Sequence, residues 1–372
     1  SDFAFRSDDL ARAKQLLAEY GALAGVKADA EKAQLPLVSL RLGWCAYKQS
    51  DFAVAIELLS QGLALKAPPE IRQEMLYLRG VSALSLPGAT SVPPDFVTLA
   101  IEAPDSPFTA QACYRAALLQ GNDALQWLDR LLSNPAHAKS TLRGGALLLR
   151  AQHSYNQSRF AEALADVNAL LQLPDAKEHA KSAQLLQALC YEALPEKSSD
   201  AEAAFEKIIG SGAVDSSEVK LALSRRAKFR FNNKKFAEAE ADLKKYLGNT
   251  LDALDASQLE AALLLALCRK EQKDTAGAAA ELKKLAAVPL KGVLAFEVPF
   301  QLGNLSYEAA QYEAAAAHYR KALDAAAAVK ELPNSALSAA WLNLAWSSRH
   351  AKDAKTAEKA FAELLKLDAM GP

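Results

Sequence analysis

Five histidines, four cysteines and one glycine-rich turn are the places where this 372-residue sequence could do chemistry. His137, His153, His179, His318 and His350 are scattered along the chain. A metal site needs several ligands brought to one face; His350 with Asp353 has a helical spacing, yet reads as the solvated polar tip of a helix. Cys45, Cys113, Cys190 and Cys268 lie singly in apolar stretches. They lack the paired spacing of a zinc site or a disulfide framework and read as small buried hydrophobes. Gly210-Ser211-Gly212 fits neither a phosphate-binding loop nor a dinucleotide fingerprint, and no nucleophile elbow occurs. No catalytic residue, metal ligand or cofactor motif emerges. The expectation is a protein that is not an enzyme.

Charge and aromatic surface remain for function. Lysine and arginine total 43 against 44 acidic residues, a net charge of −1 spread along the whole length. Nucleic-acid binding rests on a basic excess that neutralises phosphates, so no nucleic-acid partner is expected. The densest basic stretch is Arg225, Arg226, Lys228, Arg230, Lys234 and Lys235. One reading is a solvated helix face whose long stems cover apolar neighbours. The other is a clamp for a carboxylate or an acidic peptide. Arg115 and Arg269 stand at the place equivalent to Arg230, which favours the first. No run of 18 uninterrupted apolar residues occurs, so no segment is expected to insert into a membrane.

The elements carrying these side chains are helices. Hydrophobic residues make up 51% and aromatic ones 7%, with alanine and leucine, both strong helix formers, dominating. A repeat runs through them. In Leu42-Gly43-Trp44-Cys45-Ala46-Tyr47-Lys48 and Leu302-Gly303-Asn304-Leu305-Ser306-Tyr307-Glu308, a small residue (Gly43, Gly303) is followed twelve positions on by Ala55 or Ala315. Four further comes Leu59 or Tyr319, and three beyond that Gly62 or Ala322. The same spacing links Ala112, Ala124 and Leu128; Ala151, Ala163 and Val167; Ala227, Ala239 and Leu243; Ala266, Ala278 and Leu282; and Ala345, Ala357 and Phe361. One copy, Ala188, Ala201 and Phe205, carries an inserted residue. Small side chains at both marks let antiparallel helices approach to about 8–10 Å. The large residue fills the gap toward the next pair, and pairs must stack because none can bury both faces alone. Pro68, Pro135, Pro174, Pro289 and Pro333 punctuate the joins.

This pattern resembles the tetratricopeptide repeat (TPR). Leu42-Gly43, Ala55, Leu59, Gly62 and Pro68 carry the likeness, as do Leu302-Gly303, Tyr307, Tyr312, Ala315, Tyr319 and Ala322, and Trp341, Leu344, Ala357 and Phe361. The resemblance implies an all-α, right-handed superhelical solenoid of about nine antiparallel helix pairs over essentially the whole chain. It also implies an inner groove lined by the first helix of each pair. Residues three before, one after, and four and five after the small mark then face inward. They are Leu40, Trp44, Tyr47, Lys48 and Tyr77 near one end, and Gln152, Tyr155, Asn156, Lys228, Phe231 and Asn232 in the middle. Near the other end stand Phe300, Asn304, Tyr307, Glu308, Trp346, Arg349 and His350. Aromatic side chains with polar neighbours are what binding hot spots use, so a peptide or protein partner is expected there. Pro104-Asp105-Ser106-Pro107 and Pro333-Asn334-Ser335 are similar to segments of TPR proteins of the bacterial cell envelope, which favours a periplasmic or envelope location over a cytoplasmic one without fixing it.

Three stretches divide the chain. Residues 1–86 hold N-terminal repeats, the first truncated, because Leu10-Ala11-Arg12-Ala13 and Leu17 align with a second helix. Residues 87–107 form an irregular proline-rich join, where the repeat marked by Gly80 has either a shortened second helix or a hinge or contact loop. Residues 108–372 continue the repeats. The expected function is a non-catalytic interaction scaffold. A structural module of a larger assembly, or an accessory domain of an enzyme whose active site lies elsewhere, also fits.

Overall fold

The computed structural model describes residues 35–119, 123–174, 176–212, 216–248, 255–329 and 332–369 and, before them, the individual residues Arg12, Gln15, Ala18, Glu19 and Ala22, each helical. The truncated first repeat expected around Leu10 to Leu17 lies largely outside the described residues. The chain falls into two compact units, 1–198 and 199–372. That division does not coincide with the proline-rich join at 87–107. Every regular element among the described residues is helical.

In the first unit, α1 (Leu35–Lys48) and α2 (Phe52–Leu63) make the first described pair, followed by α3 (Pro69–Leu84) and α4 (Pro94–Glu102). Next come α5 (Pro107–Leu118) with α6 (Ala124–Ser133), α7 (Arg143–Asn156) with α8 (Phe160–Leu171), and α9 (Ala180–Ala193). Successive helices pack on one another, and first helices also touch the next first helix, α1 on α3 and α3 on α5. Prolines open α3, α4 and α5 at their first turn, where no amide partner is lost. The repeat marked by Gly80 keeps its second helix, shortened to nine residues. Phe96 stands sixteen residues after Gly80, the place Leu59 holds after Gly43. It is fully buried, and a Cβ on Gly80 would lie 2.5 Å from its ring. The ring occupies the space that glycine vacates.

In the second unit, α10 (Ser198–Ser211) precedes the pairs α11 (Ser217–Asn232) with α12 (Phe236–Leu247), α13 (Ala256–Glu271) with α14 (Thr275–Ala286), α15 (Val293–Glu308) with α16 (Tyr312–Ala326), and α17 (Asn334–His350) with α18 (Ala354–Ala369). Side chains cap several starts: Ser216 accepts from Val219 N, and Asp255 exchanges hydrogen bonds with Gln258 in a capping box. The small marks are buried throughout both units, from Ala55 to Ala357, and the large partners Leu128, Val167, Leu243, Leu282 and Tyr319 are buried with them. At Gly303 a Cβ would lie 2.6 Å from Tyr319 Cε1. Gly303→Leu is therefore expected to push α15 and α16 apart and destabilise the unit by about 1–3 kcal/mol, read as a lowered melting temperature. An unchanged melting curve would mean that the two helices do not meet there.

Six first helices, α1, α7, α11, α13, α15 and α17, end on a left-handed residue seven positions past the small mark. These are Ser50, Ser158, Lys234, Lys273, Ala310 and Lys352, with φ between 55° and 68°. The next amide reaches back five residues in each, as from Asp51 to the Ala46 carbonyl (2.9 Å) and from Gln311 to that of Ser306 (2.8 Å). This is the Schellman closure, which glycine adopts without steric cost. None of the six is glycine. Left-handed strain of about 1–2 kcal/mol outweighs glycine's extra unfolded-state freedom of about 0.4–1, so Ala310→Gly is expected to stabilise the second unit by about 0.5–1 kcal/mol. A urea midpoint that falls instead would show the turn to be unstrained.

Candidate functional site

The Schellman turns carry an aromatic pair each where the sequence allows one. Tyr47 meets Phe52 at 5.6 Å, Tyr155 meets Phe160 at 5.3 Å, Phe231 meets Phe236 at 5.4 Å and Tyr307 meets Tyr312 at 5.5 Å between ring centroids. Four of the residues expected to line a groove are thus half-committed to closing their own helix pair. Each keeps one half-buried face.

In the first unit, Leu40 is only 1% exposed and packs with Leu59, Met75 and Leu78. It is a core residue and not a groove residue, because the short Gly43 helix face brings α2 directly over it. Tyr77, 7% exposed, is likewise mostly core, with its ring beside Phe96 (6.1 Å) and Phe108 (5.6 Å). Only its hydroxyl reaches outward, accepting from Arg115 Nε at 2.9 Å. Trp44 is half-buried and donates through Nε1 to Glu74 Oε1 at 2.7 Å. Lys48, Gln152 and Asn156 are exposed.

In the second unit a cleft of about 470 Å³ opens along α11 and α13. Its wall includes Lys228, Phe231 and Asn232, and also Leu221, Glu260, Leu263, Leu264 and Leu267. Leu263 and Leu267 stand three before and one after Ala266, so the same spacing rule reaches them once it is extended to that repeat. On α15, Phe300 is half-buried between Phe296 (5.5 Å) and Tyr319 (5.7 Å). Asn304 accepts from Tyr319 Oη (2.8 Å) and from Asn343 Nδ2 (3.3 Å), and donates to Gln301 (3.3 Å). Its amide is a brace between α15, α16 and α17. Glu308 is exposed, 3.8 Å from Lys270. Trp346 is 39% exposed, with Arg349 over its ring at 5.3 Å and Phe361 edge-on at 5.9 Å. His350 stacks on Tyr312 at 4.7 Å. Leu342, one turn before Trp346, is exposed beside it.

Within the basic stretch Arg226 and Arg230 turn inward, while Lys228, Lys234 and Lys235 are exposed. Arg226 makes a two-pronged bond to Asp242 (2.9 and 2.7 Å) and also donates to Glu206. Arg230 bonds Glu202 (2.9 Å) and Asp242 (2.8 Å), and Lys235 reaches Glu202 (2.6 Å). Burial works against the Arg226 charge, but Asp242 and Glu206 outweigh it and hold its pKa above the ordinary value. Lys235, with Arg230, holds the Glu202 carboxyl below the usual range. Neither earlier reading of Arg226 and Arg230 fits: they are staples between helices. Arg79 repeats the device with Asp95 on α4 and Ser60 on α2, and Arg150 with Asp166 on α8 and Asp129 on α6. In all three the arginine precedes the small mark by one and its aspartate lies sixteen residues on. The four cysteines are buried and none is in a disulfide; burial pushes the thiols of Cys113 and Cys190 up to about 11 and that of Cys268 to about 12. Thiols held protonated make poor nucleophiles.

The helix pairing, the small-residue contacts and the stacked first helices together decide the fold type. It is a tetratricopeptide-type, all-α solenoid. Solved structures resemble it at low identity. PilF of Pseudomonas aeruginosa is 15% identical over 60% of this chain and 91% of its own, with a TM-score of 0.45. The C-terminal part of a TPR repeat-containing protein from Cytophaga hutchinsonii is 17% identical, covers 70% of this chain and 97% of its own, and has a TM-score of 0.47. A tetratricopeptide repeat protein from Parabacteroides merdae is 16% identical over 84% and 99%, with a TM-score of 0.40. No protein-family model matches the sequence, and no curated protein matches it either.

Proposed function

We propose that this TPR-type chain is a non-catalytic scaffold that holds a protein or peptide partner on the first-helix face of its second unit. The observation that carries the reading is the cleft along α11 and α13, with Leu221 42% exposed at its edge and Lys228, Asn232 and Glu260 around an apolar floor. Exposed apolar side chains rimmed by polar ones mark interaction sites rather than ordinary surface. Leu342 and Trp346 continue the same kind of surface on α17. No nucleic-acid partner is proposed: net charge is −1, and Arg226 and Arg230 of the densest basic stretch spend their charge on internal carboxylates.

The test begins by crosslinking in the native host to recover the partner. Leu221→Asp and Trp346→Ala are then each expected to weaken its binding about tenfold or more, the scale of a hot-spot truncation. Both side chains are well exposed, so helicity by circular dichroism stays as in the wild type. Normal binding by both variants would remove this surface from the function.

A further inference from the structure

We infer that a cleft in the first unit, centred on Arg115, is a receptor for a carboxylate presented by a partner protein. The argument starts from three arginines at one repeat position, three residues past the small mark: Arg115, Arg230 and Arg269. Two of them are saturated internally. Arg230 bonds Glu202 and Asp242; Arg269 bonds Glu240 and Glu281, both at 3.1 Å. In each case one acid comes from the preceding second helix and the other lies fifteen residues past the mark on the arginine's own second helix. Around Arg115 the corresponding places hold Pro93 and Trp127. Neither can accept a hydrogen bond from a guanidinium side chain to side chain.

Arg115 is exposed, and the bond it makes is from Nε to the Tyr77 hydroxyl, 2.9 Å away. That contact orients the guanidinium without neutralising it. The group lies in a cleft of about 670 Å³ whose wall also carries Lys139, Ser140, Thr141 and the Tyr114 hydroxyl. Tyr114 holds its place because Gly145 leaves room for it: a Cβ there would lie 2.7 Å from its oxygen. Asp105 also lines the cleft, but its Oδ1 already accepts from Asn134 Nδ2 at 3.0 Å. The wall is thus rich in donors around two cations. A planar guanidinium pairs two-pronged with a planar carboxylate, and the other two copies of this position bind carboxylates and nothing else of that charge. The missing acid is therefore supplied from outside, as an aspartate or glutamate side chain of the partner.

The experiment is fluorescence anisotropy of a labelled tetraglutamate peptide on the full chain at low salt. Wild-type protein is expected to bind it saturably. Arg115→Gln should weaken binding about tenfold or more, and Lys139→Gln about threefold, the scale of charge-assisted hydrogen bonds. Lys355→Gln, an exposed change on α18, should leave it unaltered, and tetraglutamine should not compete. The inference is overturned if wild type does not bind the peptide, or if Arg115→Gln binds like wild type, which would place the peptide elsewhere. It is also overturned if inorganic phosphate competes more strongly than free tetraglutamate, which would make the cleft a phosphate site.

Discussion

Replacing Asp242 with alanine is expected to destabilise the second unit by about 3–5 kcal/mol, the cost of leaving a buried charge without its partner. Arg226 and Asp242 are 3% and 2% exposed at the side chain. With the carboxylate gone, the guanidinium keeps only Glu206, whose own side chain is largely in water, and Arg230 loses one of its two acids. Urea unfolding followed by helicity measures the change. The paired replacement Arg226→Leu with Asp242→Leu should cost far less than the single one, because it removes both desolvated charges and keeps apolar volume in the gap. That contrast separates a staple that must be intact from one that supplies net stability. An Asp242→Ala protein within about 1 kcal/mol of wild type would mean that Arg226 swings out to solvent and that α11 and α12 do not depend on it.

Phe96→Ala is the second large effect, about 3–5 kcal/mol for a fully buried aromatic side chain. Helix α4 has nine residues, and its buried anchors are Phe96, Leu99 and Asp95. Removing the ring leaves Gly80 facing a void on α3 and strips Tyr77 of its neighbour at 6.1 Å. The loss should be local before it is global, so hydrogen exchange at the α4 amides should accelerate while that of α7 and α8 changes little. Protection of α4 at the wild-type level would show that the Arg79–Asp95 pair alone holds the helix.

Phe96 also shows where reading by spacing stops. The helix pairs were legible because close approach demands small residues, and Gly43, Ala55 and Leu59 or Gly303, Ala315 and Tyr319 repeat that demand at constant intervals. The Gly80 copy has Val92 where an alanine is expected, and prolines flank the helix, so its second member was readable only as shortened or absent. Likewise the inward-facing positions were extended to Trp346 and Lys228 but not to Leu263 and Leu267. In that repeat the inward-facing positions hold leucines, indistinguishable by type from core.

By itself the sequence determined that this protein is helical, that its helices pair, and at which residues they touch, because backbone approach is governed by side-chain size and size is written in residue type. Only the tertiary structure decided what the charged and aromatic residues do. An arginine's role depends on whether a carboxylate on another helix lies within about 3 Å. Arg230 and Arg115 hold the same repeat position, yet one is enclosed by acids and the other is left facing a cleft.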